Sequence, residues 1–182
     1  NRSNNPFIVL NGALLQPDNY ELELFGSENK DGTITYGFLE KAANGTLLID
    51  EVSEIPLDTQ AKILRVLIDQ KFKRINGNKD VHVNIRIISS TSKDLKSEVT
   101  IGNFREDLYH RLNVVPIEIP KLNDRPDDIP LLIKYFQKKI AEINGIPQIN
   151  INVEEELLYS YDWPGNVREL RNLVERISIL SQ

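Results

Sequence analysis

The sequence contains no cysteine and no methionine, and only one tryptophan and two histidines among its 182 residues. Without cysteine there is no disulfide framework, no thiol nucleophile and no thiolate zinc site, and the composition suits a reducing compartment; a cytoplasmic protein is expected. No apolar run approaches the ~20 residues that a membrane-spanning helix requires, so no membrane partner is expected. Positive charge is also in short supply: 22 Lys+Arg against 27 Asp+Glu leave a net charge of −5. That balance excludes a nucleic-acid-binding module working by bulk electrostatics, which needs clustered cations. The absence of methionine, with Asn1 as the opening residue, leads to a further expectation: the chain reads as a piece of a longer protein. Its length suits one domain, or a larger domain with a small satellite, and is enough to bury a core.

Short apolar runs punctuate the first two thirds. Phe7-Ile8-Val9-Leu10, Thr46-Leu47-Leu48-Ile49 and Ile85 to Ile88 read as buried strands, and Val114 to Ile119 as a fourth that Pro116 demotes toward an edge. Between them, Asp18 is placed to cap a short helix through Glu21 to Phe25, stopped by Gly26. Asp58 to Gln70 has helical spacing with Asp58 as its cap, and Phe104 to Leu112 is helix-like. Asn76-Gly77 marks a hairpin turn flanked by Lys71 to Arg74 and Val81 to Val83. Ser27 to Tyr36 reads as a loop. Strands alternating with helices predict an α/β fold with a parallel sheet. From Pro120 onward the strands cease, and helices are expected over roughly Ile129 to Ile143, Val153 to Tyr161 and Asn166 to Leu180. The expected domains are therefore 1–120 and 121–182, the second all-α.

Three groups of residues carry candidate chemistry. The acids Asp50-Glu51 end an apolar strand; Asp50 suits Mg²⁺ ligation through water and Glu51 the activation of an attacking water, although acids in this position also cap helices. Arg105 and Arg111, six residues apart, suit bidentate oxyanion recognition on a neighbouring subunit; the alternative pairs them with Glu106 and Asp107, and His110 reads as a surface residue. Arg168 sits in the first turn of the last helix, behind Trp163 and the expected cap Asn166. There it opposes the helix dipole, so either an anionic ligand or a carboxylate such as Glu169 or Asp162 is expected beside it.

Six ordered runs, among them Glu23-Leu24-Phe25-Gly26, Asn44-Gly45-Thr46-Leu47-Leu48-Ile49-Asp50-Glu51, Arg86-Ile87-Ile88-Ser89-Ser90-Thr91, Phe104 to Leu112 and Trp163-Pro164-Gly165-Asn166-Val167-Arg168-Glu169-Leu170, resemble the AAA+ domain of sigma-54-dependent transcription activators, the bacterial enhancer-binding proteins. Within that family the likeness is to the branch of response regulators typified by NtrX, which pairs with a sensor kinase, NtrY. The resemblance implies an AAA+ P-loop NTPase core with a helical lid, and ATP and Mg²⁺ as cofactors. It makes Asp50 and Glu51 the Walker B acids and Asn11 the residue that holds the catalytic Glu inactive. Thr91 falls in sensor I, Arg105 and Arg111 match arginine fingers acting in trans, and Arg168 matches the sensor II arginine. Ala42, Ala43, Asn44 and Gly45, together with Arg125 and Ile129, match positions near the nucleotide. Implied partners are further copies in a ring, the sensor kinase and promoter DNA through other domains of the parent, and RNA polymerase.

Two departures qualify those implications. No Gly-Lys-Ser/Thr occurs, so the phosphate-cradling loop and its lysine are lacking. The family order puts that loop and its strand upstream of Asn1, with the strand filling the middle of the sheet between Ile87 and Val115. The 182 residues alone are accordingly expected not to hydrolyse ATP. Further on, the remodelling loop of the family carries Gly-Ala-Phe-Thr-Gly-Ala, whereas Ser27 to Tyr36 is shorter and lacks it. Ile34 and Tyr36 are expected to pack at the base of this loop, and sigma-54 remodelling is not expected. Two functions stay open for the parent: an ATPase, or a nucleotide-sensing oligomerisation module of a DNA-binding regulator.

Overall fold

The computed structural model describes residues 2–151 and 155–181, which divide into two compact units, Asn1–Pro116 and Ile117–Gln182. In the first unit, the strands β1 (Phe7–Asn11), β4 (Thr46–Asp50) and β7 (Arg86–Ser89) form a parallel sheet in the order β1-β4-β7. Their register sets Asn11 opposite Asp50 and Ile49 opposite Ser89, so the carboxyl ends of all three strands share one edge. Alternation within each strand separates the two faces. Leu10, Leu47 and Ile49 are fully buried, whereas Phe7 (59% exposed), Val9 (50%) and Ile88 (41%) look outward, an apolar face of a kind that parallel sheets ordinarily keep covered.

The buried face is covered by α1 (Tyr20–Phe25), α2 (Phe38–Lys41), α3 (Leu57–Asp69) and α5 (Glu106–Leu112), with α4 (Leu95–Thr100) packed beside α5. Ile63 and Val66 recur at helical spacing on the inner side of α3, and each such side chain withdrawn from water contributes ~1.5–3 kcal/mol. Two caps differ from the sequence expectation. Asp18 lies in a 3₁₀ turn ahead of α1, whose N-cap is Asn19, and Asp58 sits inside the first turn of α3, where its charge favours the helix dipole without capping it. Gly26 ends α1 at φ +69° as expected.

Ser27 to Tyr36 is not a plain loop. Strands β2 (Ser27–Glu28) and β3 (Ile34–Thr35) pair antiparallel, closed by an Asp31 turn in which the Asp31 carboxylate accepts the Thr33 N–H at 2.9 Å. That hydrogen bond holds the Asp31 carboxyl below its usual range. A second hairpin, β5 (Lys71–Lys73) with β6 (Asp80–His82), turns at Asn76, which has φ +61°. The two hairpins meet through a parallel bridge between Ser27 and Ile75. Arg74 fixes the junction: its guanidinium donates twice to Glu40, at 2.9 and 2.5 Å, and lies 5.8 Å from the centre of the Tyr36 ring. Ile34 and Tyr36 are 38% and 56% exposed and do not pack inward, which corrects the expectation for them.

The expected strand Val114 to Ile119 is also absent. The segment is irregular, and Val114, Val115, Ile117 and Ile119 are 72–83% exposed. A strand needs a ladder partner, and among the described residues β7 is paired only with β4. In the second unit, α6 (Asp128–Asn144) packs on α8 (Asn166–Leu180) around Leu122, Ile129, Ile133, Trp163, Leu170 and Val174. The helix expected over Val153 to Tyr161 starts outside the described residues and appears as α7 (Glu155–Ser160). Among the described residues, no helix is long and apolar enough to cross a membrane.

Candidate functional site

The shared carboxyl edge of a parallel sheet is where α/β folds present ligand-binding groups. Here β4 delivers Asp50 and then turns sharply at Glu51, whose backbone is left-handed at φ 54°, ψ 56°. Such a conformation in a residue with a β-carbon persists only where its surroundings hold it. The tail that follows β7 provides the hold. Ser90 donates its hydroxyl to one Asp50 oxygen at 2.5 Å, and Asn11 approaches the other at 3.4 Å. Glu51 Oε2 accepts both the backbone N–H and the hydroxyl of Ser92, each at 3.0 Å. Thr91 reaches Ser53 at 3.1 Å, and the Lys93 ammonium pairs with Glu54 at 2.8 Å, which raises its pKa. The Val52 N–H donates to the Ser90 carbonyl at 2.9 Å, so the segment after β4 and the segment after β7 are joined residue by residue.

Behind the acids the backbone is crowded. A β-carbon on Gly12 would meet the Glu51 carbonyl oxygen at 2.5 Å and that of Asp50 at 3.1 Å. The buried Tyr20 hydroxyl faces the carbonyls of Gly12 and Glu54, and burial raises its pKa. Gly12, Tyr20, Ser90 and Ser92 are parts of this edge that sequence reasoning missed. Only the run of hydroxyls after the third strand pointed to any of them. Asn11, expected to hold Glu51, instead directs its amide to Asp50, because the β1–β4 register sets those two residues opposite each other. Among the described residues no cluster of three or more acids or histidines suits an all-protein metal cage. One partly solvated aspartate fits a cation such as Mg²⁺, which keeps several waters and takes its remaining oxygens from phosphates.

Ala42 to Gly45 does not join this edge. The run lies at the opposite, amino end of β4, where Asn5 donates to the Asn44 carbonyl at 2.8 Å and Arg2 to that of Gly45 at 2.7 Å. Five residues of strand, ~3.3 Å each, separate the run from Glu51, so it serves the scaffold.

The arginines of α5 are held from below. Gln60, fully buried on α3, accepts the Arg105 N–H at 2.9 Å and donates to the carbonyls of Ile55 and Asn103. The Arg105 side chain makes a two-point pair with Asp107, at 3.0 and 2.8 Å, which is the ion-pair alternative expected from spacing and lowers the Asp107 pKa. Arg111 differs. It is exposed, donates only to the Leu67 carbonyl at 3.1 Å, and has no carboxylate partner among the described residues. His110 is a surface residue whose side chain is 69% exposed.

In the second unit Arg168 is exposed in the first turn of α8, and Glu169 is not its partner. The Glu169 carboxylate accepts from the Tyr161 hydroxyl and the Gly165 N–H, both at 2.8 Å, which leaves the arginine facing a cleft of 690 Å³ lined also by Trp163, Asn172, Leu173 and Arg176. Trp163 is buried and donates to the Leu158 carbonyl at 2.9 Å. Asn166 is the first residue of α8 and not its cap; at φ 55° its side chain accepts the Val167 N–H. Arg125 donates to Asp128 at 3.5 Å, whereas Ile129 is 1% exposed in the core and has no surface to offer a ligand.

The model of the sigma-54 interaction domain matches residues 1–118, and that of the AAA+ ATPase lid domain matches residues 123–182. The chain is 47% identical over 182 residues to the nitrogen assimilation regulatory protein NtrX of Azorhizobium caulinodans, covering 99% of this chain and 40% of that protein. It superposes on crystal structures of NtrX from Brucella abortus: in complex with ATP at TM-score 0.93 and 48% identity, and in complex with ADP at 0.92 and 47%, each covering 100% of this chain and 40% of that one. The chain thus spans about two fifths of the length of the relatives it matches. It belongs to the sigma-54 interaction domain family, with the AAA+ fold of that family and its helical lid.

Proposed function

We propose that in the intact protein this chain is the ATP-binding, oligomerising core of an NtrX-like response regulator that controls transcription, and that it hydrolyses ATP. The observation that carries the reading is the pair Asp50 and Glu51 at the carboxyl edge of a parallel sheet, both carboxylates oriented by hydroxyls of the neighbouring strand's tail. Bound Mg²⁺ would neutralise charge on the phosphates during transfer. Asp50, with one oxygen fixed by Ser90, would be the residue that holds it. Glu51, tied through Oε2, keeps Oε1 free to accept a proton from the attacking water. Asn11 braces Asp50, and Thr91 ties the tail after β7 to Ser53. Arg111, lacking a carboxylate of its own, supplies a cation to the nucleotide of an adjacent copy. Arg105 supports it after exchanging Asp107 for that interface, Arg168 reads the terminal phosphate, and Arg125 lies near the base. Ala42 to Gly45 and Ile129 are left out of this site by their positions. A sensor kinase of the NtrY kind and promoter DNA engage other domains of the parent.

A second reading applies to what the ring does. The tip of the β2–β3 hairpin presents Lys30 and Asp31 around Gly32, and burying such charges in a partner's surface is costly unless each is paired. The domain then senses nucleotide and assembles without remodelling sigma-54. The test of the enzymatic reading is Glu51→Gln in the intact protein: ATP binding persists because magnesium ligation by Asp50 survives, while turnover is lost. Equal hydrolysis in mutant and wild type would reduce Glu51 to a structural residue.

A further inference from the structure

We infer that Tyr20 is a positioning residue for the Asp50–Glu51 turn, its one buried hydroxyl clasping the turn that leaves β1 to the turn that leaves β4; the kinetic part of the inference rests on Glu51 being the catalytic base. The phenol is 2% exposed, and its hydroxyl reaches the Gly12 carbonyl and, at 3.1 Å, the Glu54 carbonyl. Gly12 opens the 3₁₀ turn Gly12–Leu14 after β1. Glu54 closes the 3₁₀ turn Val52–Glu54 after β4, which the left-handed Glu51 caps. Burial raises the pKa of the phenol, so it stays a donor.

The two turns lie backbone against backbone, since a β-carbon on Gly12 would meet the Glu51 carbonyl oxygen at 2.5 Å. A buried carbonyl needs a donor, and the Gly12 carbonyl receives the Leu15 N–H only at a long 3.3 Å, so the Tyr20 hydroxyl is its closer partner. On the other side, the Glu54 N–H donates to the Glu51 carbonyl at 3.0 Å and closes the turn that starts at the acid. Fixing the Glu54 carbonyl therefore fixes the far end of that turn. The tail after β7 holds the near end, through the Val52 N–H, and Tyr20 holds the far end from a different element. Tyr20 is a firm anchor because it opens α1, whose Leu24 and Phe25 are also buried, Phe25 standing edge-on to Phe72 at 5.6 Å. It precedes the Glu23-Leu24-Phe25-Gly26 run and is no part of it. Loosening the far end lets Glu51 leave a backbone conformation that only its surroundings sustain, and a general base displaced by about 1 Å loses on the order of a hundredfold in rate.

The experiment uses the intact protein with Tyr20→Phe, which removes the hydroxyl and keeps the ring, beside Ile63→Val, which removes one buried methyl group from α3 and leaves both turns alone. Without nucleotide, Tyr20→Phe speeds amide hydrogen exchange about tenfold at Leu15 and Glu54, whose N–H groups close the two turns, and leaves Gln70 at the far end of α3 unchanged. With ATP, Tyr20→Phe lowers kcat about tenfold and changes KM less than about twofold, whereas Ile63→Val keeps the wild-type kcat. Exchange unaltered at both turns, or raised equally at Gln70, overturns the clasp. If the wild type hydrolyses ATP and Tyr20→Phe matches its kcat, or if Ile63→Val loses as much as Tyr20→Phe, the positioning role is overturned. If the wild type shows no hydrolysis, the nucleotide reading fails, and the exchange measurement alone decides whether Tyr20 holds the two turns.

Discussion

Replacing Arg74 by alanine should loosen both hairpins of the first unit at once. The Arg74 and Glu40 side chains are only 11% and 14% exposed, and two hydrogen bonds at 2.9 and 2.5 Å join them. Removing one member of a mostly buried pair leaves the other charge without compensation, at a cost of about 3–5 kcal/mol in fully buried cases. The residual exposure here, and a second acid at 3.9 Å (Glu28) that loses its neighbour as well, place the expected loss near about 3 kcal/mol. In a unit that runs from Asn1 to Pro116, with an unfolding entropy of about 2.1 cal/mol/K per residue, that is a drop of roughly 9–15 °C in its unfolding transition. Glu40→Gln in the Arg74→Ala background should recover part of the loss, because the stranded charge is then removed. Thermal unfolding of wild type, both single variants and the double variant forms the required cycle. A loss below about 0.5 kcal/mol for Arg74→Ala, or strict additivity in the cycle, would show that the junction is held by the Ser27–Ile75 bridge and apolar contacts, and would refute the argument.

Two further outcomes follow from the site. Gly12→Ala sets a β-carbon 2.5 Å from the Glu51 carbonyl, a backbone atom that cannot swing aside, so it should destabilise the first unit by about 1–3 kcal/mol in urea unfolding and reduce turnover together with it; a neutral variant would mean that the Asp50–Glu51 turn is soft. The charged tip at Lys30 and Asp31 predicts that the parent forms no ATP-dependent open complex with sigma-54 holoenzyme in a transcription assay, and robust open-complex formation would return it to the remodelling activators.

The most legible parts of this fold were those whose signal is local. The apolar runs Phe7-Ile8-Val9-Leu10 and Thr46-Leu47-Leu48-Ile49 mark strands, although Phe7 and Val9 leave one face of β1 exposed, and the spacing of Ile63, Leu64 and Leu67 marks α3 without help from its neighbours. Val114 to Ile119 shows the limit of that reasoning. Alternation gives a segment the capacity to be a strand, but the ladder requires a partner edge, which no pattern within the segment reveals. The same holds in reverse for Ser27 to Tyr36, whose polar composition hid a hairpin closed by Asp31 and Gly32. In the candidate site, the strand-end acids were visible as residue types. The grip of Ser92 on Glu51 was not, since it depends on the β4–β7 register and on a left-handed residue that no spacing announces. Register also explains why Asn11 meets Asp50, and direction along β4 explains why Ala42 to Gly45 falls at the wrong end.

The proposal that Glu51 of one copy and Arg111 of another complete a single hydrolytic site is tested most directly by mixing. Intact Glu51→Gln and Arg111→Ala proteins, each inactive alone, should regain part of the wild-type ATPase rate when co-assembled, because one of the mixed interfaces retains both an unaltered Glu51 and an unaltered Arg111. Proven co-assembly with no recovered turnover would contradict the account, and would leave Arg111 with nothing beyond its hydrogen bond to the Leu67 carbonyl.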